Sequence, residues 1–141
     1  MPAINSTKGI APGKIVYHVY GSVIAKGKGK PPAKAPEEYV EKIIITSFPK
    51  NWHKGTSRRS DSLFFDVLRE SSLGGKDWHS AHSVRDCGIG AKYNLNRIFA
   101  TKVEAIEFVS ECLSGKFFDK ADQEVYDRHL KESDDWLNWN F

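Results

Sequence analysis

The sequence predicts an α+β fold: one domain in which an antiparallel β-sheet of three to four strands is followed by two C-terminal helices packed on it. Three observations carry this reading. Apolar and β-branched residues recur with strand spacing before residue 100, helix-type spacing is confined to the part after it, and no internal repeat interrupts that order. At 141 residues the chain has the size of a single domain and can bury roughly two thirds of its unfolded surface, so one core over 1–141 suffices.

Residues 1–14 read as a flexible lead, with scattered Gly and Pro and no apolar block. The first strand is expected from Ile15 to Ala25, with Ile15, Tyr17, Val19 and Val23 on one face and Val16, His18, Tyr20 and Ile24 on the other. A strand apolar on both faces belongs inside a sheet. Residues 26–36 are Lys, Gly, Pro and Ala with almost nothing to bury, and read as a mobile basic loop. The second strand runs from Tyr39 to Phe48, where Pro49 removes a ladder donor, and it pairs with the first as a long hairpin.

The third strand spans Ser62 to Glu70 around Leu63-Phe64-Phe65-Asp66-Val67-Leu68, a run that also fits a short helix. After the turn at Gly74-Gly75 a fourth strand is read from Asp77 to Arg85. The segment Asp86 to Lys92, with Gly88 and Gly90, is a turn, and Tyr93 to Phe99 is extended.

Thr101 and Glu104 form a capping box, in which the Thr hydroxyl accepts from the Glu amide and the Glu side chain reaches back to the Thr amide. The helix it opens presents Ile106, Val109 and Leu113 beside Ala105, Phe108 and Cys112, and Gly115 supplies a left-handed end. A second helix starts near Asp119 or Asp122 and carries Val125 and Leu130. Because Asp134 and Asp135 oppose a helix C-terminus but suit a first turn, a break is expected at Ser133. Trp136, Leu137, Trp139 and Phe141 then either close the core or form an interface, which makes a homo-oligomer the expectation.

No window reaches the roughly 18 apolar residues of a membrane span, and no signal-peptide block precedes Ile15, so no membrane partner and a cytoplasmic location are expected. The two cysteines, Cys87 and Cys112, read as reduced thiols, Cys112 as core filler and Cys87 as the more exposed. The net charge of +3 is uneven: residues 1–60 carry +8 and residues 61–141 carry −5. A bipolar surface can steer an anionic ligand toward one side.

Four groups could carry chemistry. His79 and His82, with Asp86 and Cys87 behind them, invite a metal-dependent or small hydrolase reading, with Ser80 or Cys87 as nucleophile. A strand sends His79 and His82 to opposite faces, and His18, His53 and His129 supply no second ligand pair at regular spacing, so no metal and no cofactor are expected. Gly27 and Gly29 lack the strand-to-helix setting of a phosphate-cradling loop. Lys26, Lys28, Lys30, Lys34, Lys50, Lys54, Arg58 and Arg59 can make one cationic side beside Trp52 and His53, suited to phosphate contact and base stacking. Tyr93, Asn94, Asn96 and Arg97 form a second polar group able to read a nucleotide or a peptide backbone.

The tract Tyr93-Asn94 through Phe99-Ala100-Thr101-Lys102-Val103-Glu104-Ala105 resembles the strand-to-helix step of small accessory α+β proteins encoded by bacteriophages, some of which are counter-defence factors. It covers about a tenth of the chain and brings no functional residue with it. The resemblance implies a non-catalytic protein that sequesters a signalling nucleotide or blocks a host protein. The leading expectation is therefore a non-catalytic binding protein for a small anionic, nucleotide-like ligand or a host protein. Nucleic-acid binding, consistent with a pI of about 8.8 and predicting steep salt dependence, is the second. An enzyme using His79, His82 and Asp86 is the third.

Overall fold

The structure, a computed structural model, describes residues 3–26, 35–51, 63–70, 77–90 and 92–139, without the side chains of 26, 130 and 132–139. Its strands are β1 (Ile15–Tyr20), β2 (Val40–Ile45), β3 (Lys50–Asn51), β4 (Leu63–Arg69), β5 (Trp78–Ser83) and β6 (Asn96–Phe99). Its helices are α1 (Gly21–Lys26), α2 (Lys102–Ser114) and α3 (Lys120–Trp139), and short 3-10 turns occupy Thr7–Gly9, Pro36–Tyr39 and Arg85–Cys87.

All six strands join one antiparallel sheet in the order β3-β4-β2-β1-β6, with β5 also on β4. Apolar residues on both faces of β1 place it between β2 and β6, with Val16 opposite Ile43 and Tyr17 opposite Phe99. One face packs Val19, Leu95 and Phe99 against Ala105, Phe108, Val109 and Cys112 of α2 and Val125 and Tyr126 of α3. The other encloses Val16, Ile43, Ile45, Phe65, Val67 and Ile98 with Val84, Cys87 and Ile89 from the segment after β5. The sheet curls around this second core. Although β4 and β2 stand between β5 and β1, the rings of His82 on β5 and His18 on β1 come to 4.5 Å.

The α+β class holds, but the described residues form three α-helices, because α1 interposes between β1 and β2 before the two C-terminal ones; the segments read as third and fourth strands form β4 and β5. The strand count is six among the described residues rather than three to four, because two residues at Lys50–Asn51 extend the ladder on β4 and Asn96–Phe99 completes the second edge of β1. The first strand ends at Tyr20 instead of Ala25. A Cβ at Gly21 would stand 2.1 Å from the Leu95 carbonyl oxygen and 3.0 Å from Cys112 Sγ, so the chain passes there only as glycine and turns into α1. Ser22 Oγ fixes that turn by accepting from Leu95 N at 2.9 Å. The second strand is shorter than read, since Pro36–Tyr39 winds as a 3-10 turn and pairing with β1 ends at Ile44.

Thr101 caps α2 by accepting from Glu104 N at 3.3 Å, yet the Glu104 carboxylate takes the Thr101 hydroxyl at 2.7 Å rather than the Thr101 amide. Gly115 closes the helix at φ 77° and also makes room for α3, as a Cβ there would meet Tyr126 Oη at 2.6 Å. Asp119 caps α3, its Oδ1 accepting from Ala121 N at 2.8 Å and Asp122 N at 3.1 Å. The expected break at Ser133 is absent: the backbone stays helical to Trp139. Interior Ser and Asp cost only about 0.7 kcal/mol each or less, whereas a break leaves new unsatisfied backbone groups. Cys87, read as the exposed cysteine, is fully buried, because the 3-10 turn it ends folds back into the second core.

Candidate functional site

A cleft of about 540 Å³ opens between α2, the start of α3 and residues Ala3–Asn5. Phe99 and Phe108 supply its apolar floor, and Phe118, fully exposed, stands at its edge. Five carboxylates line it, Glu104, Glu107, Glu111, Asp119 and Asp122, against two cations, Lys92 and Arg97. Both cations are engaged. Arg97 Nη2 donates to Asp122 Oδ1 at 2.7 Å, and Lys92 Nζ lies 3.5 Å from Asp119 and 3.8 Å from Asp122. No cation among the described residues pairs with Glu104, Glu107 or Glu111, so the cleft keeps a negative surplus.

Glu111 registers that surplus. Partial burial pushes its carboxyl above the ordinary range, the amide of Phe118 opposes this, and the neighbouring Asp122, Asp119 and Glu107 reinforce it. A cation entering the cleft would relieve three like charges at once.

Of the polar group Tyr93 to Arg97, only Arg97 lines this cleft. Arg97 is buried, and its Nη1 donates to the Asn96 carbonyl at 2.7 Å and to Asn94 Oδ1 at 3.2 Å. Asn94 Nδ2 donates to the Asp86 carbonyl at 3.1 Å, and Asn96 Oδ1 accepts from Ser22 N at 3.4 Å. Asn94, Asn96 and Arg97 therefore hold β6 to α1, α3 and the Arg85–Cys87 turn. Tyr93 is the exposed member, with the Arg85 guanidinium 5.2 Å from its ring. Gly88 at φ 78° lies so close under Arg97 that a Cβ would stand 2.6 Å from Nη1.

A second cluster sits on the other side of the sheet. His18, His82 and Cys87 each bring one metal-ligating type of atom within 4.8 Å of the others. Burial lowers the pKa of His18 well below its ordinary value, with His82 and Arg69 adding to the effect. Burial, followed by Arg69, lowers that of His82 to about 4, while burial above all pushes the Cys87 thiol up to about 12. Arg69 bridges His82 Nε2 and the Glu41 carboxylate. Sequence reasoning gathered His82 and Cys87 but left out His18, whose approach depends on the curl of the sheet. His79 is exposed on the opposite face of β5 from buried His82, as strand alternation requires.

Trp52, His53, Arg58 and Arg59 lie outside the described residues, as do Lys28, Lys30, Lys34, Lys54 and Phe141. Trp136, Leu137 and Trp139 lie on α3, their side chains outside the described set.

Fold and cleft together define a small α+β protein with a curled antiparallel sheet, backed on one face by helices that shape an acidic, aromatic-floored recess. The chain belongs to the phage g100-like protein family, whose profile matches residues 4–112. That span holds the whole sheet, the His18, His82 and Cys87 cluster and α2 as far as Cys112, and stops before α3. No curated protein and no solved structure matches the chain. No helix among the described residues is long and apolar enough to cross a membrane.

Proposed function

We propose that this phage-family protein is a non-catalytic binding protein of the accessory, counter-defence kind, acting in the cytoplasm by taking a cationic, partly apolar segment of a host protein into the α2–α3 cleft. The observation that carries this reading is the pairing of an aromatic floor with three carboxylates that no described cation neutralises. Such a recess attracts Lys or Arg to its rim and rewards burial of an apolar neighbour on Phe99 and Phe108. A nucleotide-like anion would meet the same surplus charge as repulsion, and its best-suited partners, Arg58 and Arg59, lie outside the described residues.

A fluorescein-labelled peptide alternating Lys or Arg with Leu or Phe, followed by fluorescence anisotropy, tests this. Binding should weaken at least tenfold in the double variant Glu107→Lys, Glu111→Lys and fall with added salt. Peptide affinity unchanged by that reversal, or a short oligonucleotide bound more tightly than the peptide by the intact protein, would overturn it.

A further inference from the structure

We infer that His18, His82 and Cys87 form a binding site for one transition-metal ion of the zinc type. The site is separate from the cleft, and stands or falls apart from its reading.

The ligands come from three places that only the folded sheet unites: His18 from β1, His82 from β5 and Cys87 from the turn that follows β5. Their ligating atoms lie within 4.8 Å of one another. A tetrahedral ion with bonds of about 2.1 Å to nitrogen and about 2.3 Å to sulfur wants these atoms about 3.5 Å apart, so a contraction of about 1 Å completes the site. Rotation of two rings and a thiol supplies movement of that size.

An independent observation points to a ligand. His18 Nδ1 is buried and has no hydrogen-bond partner among the described residues. A buried ring nitrogen left without one costs free energy, and a metal ion satisfies its lone pair if Nδ1 carries no proton. Two imidazoles and a thiolate select zinc-like ions over magnesium or calcium, which prefer oxygen ligands. The rings of Tyr20, at 4.1 Å from His18, and Phe65, at 5.8 Å from His82, flank the cluster.

Arg69 sets the terms of binding. A neutral imidazole offers one unprotonated nitrogen, so the ion and the Arg69 guanidinium compete for His82, and Glu41 remains the partner of Arg69 when it yields. On binding, Cys87 Sγ forms the metal–sulfur bond and its proton leaves to solvent. Three protein ligands leave a fourth position for water or another donor.

Cobalt(II) titration of the chelator-stripped full chain decides the matter. A thiolate-to-cobalt charge-transfer band should appear in the near ultraviolet, saturate at one equivalent and disappear on adding zinc. It should be lost in Cys87→Ser, persist in Cys112→Ser, and need at least tenfold more cobalt in His18→Asn. If Cys87→Ser does not fold, persistence of the band in Cys112→Ser assigns it to Cys87, since the chain has two cysteines. Absence of the band from the intact protein under excess cobalt at neutral pH, or its loss in Cys112→Ser, would overturn the proposal.

Discussion

Arg97 is read from sequence as a ligand-facing residue and is instead the post to which β6, the Arg85–Cys87 turn and α3 are tied. Its pair with Asp122 is buried, so removing one partner strands a charge in the core rather than merely deleting a contact. Asp122→Ala should lower unfolding free energy by about 3 kcal/mol in urea titrations, and the double variant Arg97→Met, Asp122→Ala should lose less than the two single losses combined. Glu111 gives the opposite sign. Its native carboxyl is raised above the ordinary 4.5, so the folded state holds the proton more tightly than the unfolded chain does. The stability this confers is present in acid and lost as pH rises through the raised value. Glu111→Gln should therefore melt higher than the parent at neutral pH, with the difference closing below the ordinary carboxylate range.

At the scale of elements, most of what the sequence announces is local. Thr101 and Gly115 bound α2 as their chemistry requires, and Thr101→Ala should cost about 1 kcal/mol by the same urea titration. The ends of β1 and α3 were not legible, for different physical reasons. Gly21 looks like one more residue of an apolar run, and only the proximity of the Leu95 carbonyl shows why the strand must stop there. Gly21→Ala should accordingly destabilise by about 2 kcal/mol or more, despite the better helix propensity of Ala, with α1 displaced from α2 in hydrogen-exchange protection. In α3 the acidic pair Asp134 and Asp135 suggested a stop, but end effects of a few tenths of a kcal/mol do not break a helix that already exists.

At the scale of the whole molecule, charge was legible as a sum and illegible as a surface. The basic first half and acidic second half can be counted from the sequence, yet the cleft draws its carboxylates from α2 and from the cap and first turn of α3, and its cations from β6 and Lys92, and their mutual pairing decides which sign remains. The His18, His82 and Cys87 cluster was hidden for a related reason: no spacing rule connects positions on strands separated by two others. The position of β1 between β2 and β6 has a consequence for how the chain is made. Tyr17 must wait for Phe99 before its second edge is filled, so a growing polypeptide leaves the ribosome with the largely apolar β1 half-clothed for most of its synthesis. Nascent chains that end before Asn96 should be protease-sensitive and prone to stick to one another, and resistance should arrive abruptly once β6 has emerged.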